Sequence, residues 1–191
     1  LPAEITDAHC RTYAAQRRAL GRKDGAIRTE LNRLASTLNW AASRGLIADA
    51  PKILRPVPPP PRERHLTKDE ARALLDACGS EHLRTFTILA LTTGARSQAI
   101  LDLTWGQVDL ERRRIDYRTA VDRPIKSRVV APLNDLAVAT LAALGPHESR
   151  EFVVQWKGER VASIKKAFRA ACRRAGLAGV SPHILRHTAA V

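Results

Sequence analysis

Cysteine is scarce in this chain of 191 residues: Cys10, Cys78 and Cys172 are an odd number and lie far apart. That spacing offers neither a disulfide framework nor a zinc-ligand pair, and it suits buried thiols in a reducing cytoplasm. Long apolar runs are missing too. No stretch approaches the ~20 residues that a membrane-spanning helix needs, and the opening Leu1-Pro-Ala-Glu4 has neither the basic nor the apolar region of a secretory signal. Acidic side chains are in deficit, with 19 Asp and Glu against 32 Lys and Arg, a formal charge of +13 and a pI near 10.8. A surplus of that size says little about fold but selects polyanionic partners, nucleic acid ahead of an anionic membrane. Internal repeats are absent, and so is any Asp/Glu/His cluster with metal-ligand spacing. What remains is a chain long enough for a good core in one or two domains.

The clearest seam is Pro56-Val-Pro-Pro-Pro-Pro61-Arg-Glu-Arg64. Prolines at this density can neither continue a helix nor donate to a ladder, so the run reads as an extended linker. Before it lie two helical segments, about 6–20 and 25–45. The second carries Ile27, Leu31, Leu34 and Leu38 at helical spacing and Gly45 to close it. After it, Thr67 and Glu70 form a capping-box signature, 81–93 reads as a buried helix, and Gly94 breaks it before a short helix over 97–103. Arg114-Ile-Asp-Tyr-Arg118 and Arg128-Val-Val-Ala131 alternate like antiparallel strands, with Phe152–Trp156 as a third. Asn134 caps a helix to Leu144. Val161, Ile164, Phe168, Ala171, Cys172 and Ala175 stripe another, and Ser181-Pro182 start a last one. The expected fold class is α+β, mostly α: a helical domain over 66–191 with a small antiparallel sheet, preceded by a basic linker at 51–65 and a partial helical domain at 1–50.

Two stretches nearly ninety residues apart stand out, Thr92-Thr-Gly-Ala-Arg96 and His183-Ile-Leu-Arg186-His-Thr188. Each arginine follows a turn signal beside an apolar helical run, which would hold a guanidinium fork on a rigid support. If both forks meet, they form an anion clamp. Two such donors on the non-bridging oxygens of a phosphodiester under attack stabilise its developing charge, each worth ~10²–10³ in rate. A histidine beside them can donate a hydrogen bond or move a proton.

Together these boxes resemble those of the tyrosine recombinase (phage integrase) family, over the chain from about the proline run to its last residue. The resemblance implies that Arg96 and Arg186 clamp the scissile phosphate and that His183 serves in proton transfer. It implies a lysine on a hairpin between the boxes that protonates the leaving 5′ oxygen, a role that falls to Lys126. His187 belongs to the second box and reads as supporting packing. The implied reaction is a transesterification through a 3′-phosphotyrosyl link, needing no ATP, metal or other cofactor. Two departures stand against the pattern. Ala99 occupies a position where members commonly carry an acid, and the nucleophilic tyrosine that follows the second box is missing, since Tyr13 and Tyr117 lie elsewhere. The chain as given is therefore expected to be catalytically incomplete.

Arg62 and Arg64 in the linker, with Lys165, Lys166 and Arg169 opposite the apolar stripe of their helix, are the candidate contacts to DNA phosphates. The family resemblance further implies double-stranded DNA as partner, a tetramer on DNA for the full-length protein, a monomer for this chain, no membrane, and a cytoplasmic, nucleoid-associated location. Two other readings stay open: a DNA-binding clamp or regulator on the same fold without strand transfer, and a basic helical RNA-binding module.

Overall fold

The computed structural model describes residues 4–58, 60, 64–118, 130–145 and 151–190. Among them are eight α-helices and two small antiparallel sheets, so the mostly helical α+β class holds. Two compact units divide the chain, Leu1–Arg62 and Glu63–Val191.

In the first unit, α1 (Asp7–Ala19) and α2 (Asp24–Ser43) pair around Cys10, Ala14, Ile27, Leu31, Ala35 and Leu38, and Ile53 from the following extended segment completes this core. Leu34 is 37% exposed, and Ala35 takes the inward position that periodicity assigns to Leu34. The buried face of α2 is rotated toward Ala35, which leaves Leu34 at the rim. Arg17 bridges the helices through both oxygens of Glu30, at 3.0 and 2.6 Å, and Tyr13 Oη donates to the same carboxylate at 3.0 Å. Arg28 Nη1 donates to the Pro56 carbonyl at 2.6 Å, fastening the first residue of the proline run to α2.

The second unit is built on α4 (Glu81–Thr93), whose Leu83, Phe86, Ile88, Leu89 and Ala90 are buried on several faces. Around it pack α3 (Lys68–Asp76), α5 (Ser97–Leu101), α6 (Asp135–Leu144) and α8 (Pro182–Thr188), while α7 (Lys165–Arg174) packs on α3. Local chemistry sets the boundaries. Thr67 accepts from the Glu70 backbone while the Glu70 side chain accepts from Thr67 N, the reciprocal capping box. Asn134 accepts from Ala137 N and starts α6. Gly94 ends α4 with φ of 59°, a left-handed conformation that a side chain would oppose. Buried Thr87 avoids an unpaired hydroxyl by donating to the Leu83 carbonyl at 2.8 Å.

The main sheet corrects one expectation. Its strands are β1 (Val108–Asp109), β2 (Arg114–Asp116) and β3 (Val130–Pro132), in register Val108↔Ile115 and Ile115↔Ala131. Phe152–Trp156 is not its third strand: Phe152 makes an isolated bridge to Thr104, and β4 (Gln155–Trp156) folds back on β5 (Glu159–Arg160). The cause is the intervening Lys157-Gly158, whose φ angles of 53° and 83° form the tight turn that pairs flanking residues with each other.

Candidate active site

The turn after α4 and the start of α8 enclose a pocket of about 310 Å3 lined by Ala95, Arg96, Ser97, Pro182, His183 and Arg186. Backbone geometry brings these residues in from two distant segments of the second unit. Past Gly94 the chain is extended at Arg96, with φ and ψ of −67° and 141°, which places Arg96 at the N-cap of α5 with its side chain exposed. α8 delivers the other half. Pro182 occupies its first turn, while the Ser181 side chain makes no capping hydrogen bond, so proline's fixed φ and tertiary packing start this seven-residue helix.

Two hydrogen bonds to distant segments hold α8 in place. Arg186 Nη1 donates to the Gly94 carbonyl at 2.7 Å. A Cβ added at Gly94 would stand 3.4 Å from the Cβ of Ala189, about van der Waals contact, so the left-handed backbone and not a lack of space calls for glycine here. Thr188 Oγ1 accepts from Leu66 N at 2.9 Å and donates to the Ile184 carbonyl, tying the helix to the first buried residue after the proline run. Ile184 and Leu185 anchor its inner face. Arg186 is half-buried, with its Nη1 committed to the fold and the rest of the fork left for the pocket.

His183 is exposed at the rim, its ring edge-on to His187 with centroids 4.5 Å apart and an interplanar angle of 83°. His187 is itself exposed, so its packing is against this neighbouring ring and not in the core. The structure therefore gathers Arg96, His183 and Arg186 in one cavity. Lys126 and Arg62 lie outside the described residues.

The remaining candidates separate. Arg64 grips Glu70 through two bonds, 2.9 and 2.6 Å, and donates to the His65 carbonyl, so its guanidinium is committed to the start of α3. That partner, with the Thr67 amide, holds the Glu70 carboxyl down at about 2. Lys165, Lys166 and Arg169 lie on α7 opposite buried Phe168, Ala171 and Cys172, and form its cationic face. Arg174, on the same helix, instead donates to the Ala77 carbonyl at 3.0 and 2.6 Å.

Neither tyrosine is poised for attack. Tyr117 is buried, its hydroxyl 3.2 Å from Thr93 Oγ1, and burial pushes it up to about 12. Tyr13 is bound to Glu30, whose carboxylate raises it. Cys10 and Cys172 are buried and Cys78 is half-buried, its thiol donating to the Leu74 carbonyl. Among the described residues no three His, Cys, Asp or Glu side chains are grouped to hold a metal ion, and no helix is long and apolar enough to cross a membrane.

Sequence reasoning does not reach the Gly94 carbonyl as the acceptor for Arg186, the Thr188 tether or the wall formed by Ser97. Thr188 and Gly94 are visible as box residues. The pairings are not, because both contacts join segments about a hundred residues apart.

The phage integrase family matches residues 64–191. Over 206 aligned residues the chain is 31% identical to the integrase of Salmonella phage P22, covering 97% of this chain and 52% of the relative. The chain thus spans about half the length of that relative. Among solved structures, the Tn1549 transposon integrase in complex with circular intermediate DNA superposes with a TM-score of 0.77 at 14% identity, covering 99% of this chain and 72% of the other. A lambda integrase tetramer bound to a Holliday junction gives 0.72 at 19%, covering 98% and 59%. The XerA recombinase gives 0.55 at 21%, covering 100% and 69%. At these identities the structural likeness is one of fold.

Proposed function

The chain belongs to the phage integrase family, and from that premise we propose that the pocket of Arg96, His183 and Arg186 grips the scissile phosphate of duplex DNA in a tyrosine-type site-specific recombinase. One observation carries the reading: two guanidinium groups from distant segments line a single cavity with an exposed imidazole at its rim. Each arginine offers fixed donors to a non-bridging oxygen, and charge developing there on attack is stabilised without reorganisation.

In the reaction a tyrosine hydroxyl attacks phosphorus, the bond to the 5′ oxygen breaks, and a 3′-phosphotyrosyl link forms. His183 accepts or relays the proton of the attacking hydroxyl, and Lys126 delivers one to the departing 5′ oxygen. The nucleophile is neither Tyr117, which is buried, nor Tyr13, which is held by Glu30. By themselves these 191 residues bind the phosphodiester without breaking it, which is also what a DNA-binding clamp on the same fold would do.

The cationic face of α7 contacts flanking phosphates, the first unit adds part of a DNA-binding domain, and the active assembly is a tetramer on nucleoid DNA in the cytoplasm. A nicked duplex that traps the covalent adduct tests the reading, in the longest reading frame containing this chain. Arg186→Ala should lower adduct formation by ~10²–10³ while most of the duplex affinity survives, because one phosphate is a small share of the contact. Equal trapping by variant and parent removes the catalytic assignment and leaves the clamp.

A further inference from the structure

Helix α5 presents Arg96, yet little in its own sequence holds it in place. Its five residues make barely more than one turn, too short to be stable alone, and its N-terminus has no side-chain cap. The far end is held differently. Asp102, the C-cap residue, has one carboxylate oxygen that accepts from Gln98 Nε2 at 3.0 Å and from Arg160 Nε at 2.8 Å, with Arg160 Nη2 donating to the same atom.

Arg160 comes from β5, 58 residues further along the chain. A carboxylate at a helix C-terminus meets the negative end of the peptide dipoles, so alone it loosens the last turn. The guanidinium reverses that effect and couples the turn to the β4–β5 hairpin. Ile100 and Leu101 fix the opposite face of α5 in the core. The helix is thus held from two sides, by apolar packing and by this ionic lock.

We propose that Arg160, acting through Asp102, is a positioning residue for Arg96: it sets the rotation of α5 and thereby where the Arg96 guanidinium enters the pocket. Gln98, one turn before Asp102 and two residues after Arg96, ties the lock to the turn that carries the arginine. The inference rests on the reading of the pocket as a phosphate site. Arg160 and Asp102 side chains are 40% and 27% exposed, so the lock is screened and its effect is graded.

The test titrates inorganic phosphate into the 191-residue chain with nitrogen-labelled arginine and follows the Arg96 and Arg186 Nε–H signals by NMR. In the parent both should respond. Arg160→Gln should weaken phosphate binding by about fivefold, the upper end for a partly exposed ion pair, and displace the Arg96 signal while that of Arg186 keeps its position. The charge exchange Asp102→Arg with Arg160→Asp should recover much of the affinity. Arg174→Ala serves as the structural control, since it removes a comparable guanidinium contact on another helix.

If Arg160→Gln unfolds, Asp102→Asn carries the same expectation. Phosphate binding unchanged in Arg160→Gln, or a loss equalled by Arg174→Ala, overturns the inference alone. No response at either arginine in the parent overturns the phosphate reading, and this inference falls with it.

Discussion

Gly94 serves two purposes at one position: it ends α4 and offers the carbonyl that holds Arg186. Its φ of 59° lies where an L side chain crowds its own carbonyl, at a cost of roughly 1–2 kcal/mol. Gly94→Ala should lower stability by about that amount, read as a fall in the urea midpoint. Phosphate affinity should therefore fall further than stability alone explains, because the turn that moves bears Arg96 on one side and grips Arg186 on the other. A variant as stable as the parent would show that the left-handed turn is not required. Residues of this kind are legible only in part. The glycine in Thr-Thr-Gly-Ala-Arg announces a helix stop by itself, whereas its carbonyl acquires a role only when α8 arrives.

At the scale of elements, what the sequence discloses and what it hides divide by range. The Thr67–Glu70 box, the Asn134 cap and the Gly94 stop depend on neighbours within four residues, and each stands in the structure where local chemistry puts it. The inward turn of Ala35 and the Asp102–Arg160 lock depend on packing or on partners outside the local stretch, whereas the β4–β5 hairpin follows from the local Lys157-Gly158 turn. Periodicity cannot rank such alternatives, since α2 satisfies a helical stripe with either Leu34 or Ala35. The meeting of Arg96 with Arg186 is legible through the family resemblance of two boxes and through no spacing rule. Helix α7 lets the DNA contact be tested at this scale. Neutralising Lys165, Lys166 and Arg169 to Gln together leaves its buried stripe intact. It should reduce the slope of log affinity against log salt by about 2–3, near 0.9 for each phosphate that is no longer neutralised. Fluorescence anisotropy on a duplex across salt concentrations measures it, and an unchanged slope takes α7 off the DNA.

Across the whole molecule, acid acts on both units through the same chemistry. Arg17 and Tyr13 hold the Glu30 carboxyl at about 2 in the first unit, with Arg17 the larger cause. Arg64 does so for Glu70, and Arg118 for Asp116, both also about 2, in the second. Each folded value lies below the ordinary carboxylate range, so protonation is harder in the folded state than in the unfolded one. These pairs therefore contribute fully above about pH 5, and their contribution drains away as pH falls toward 2. A second effect runs in the same direction: the chain already carries +13, and neutralising its acids raises that charge and its self-repulsion. Salt separates the two, because repulsion between distant charges is screened while a hydrogen-bonded pair is screened less. In high salt the urea midpoint should still decline from pH 6 to pH 3. Glu70→Gln should start lower at pH 6, decline less steeply, and meet the parent near pH 2, since by then the parent has lost the same interaction. Parallel curves for parent and variant would show that the Arg64–Glu70 pair adds nothing to stability and that acid acts through net charge alone.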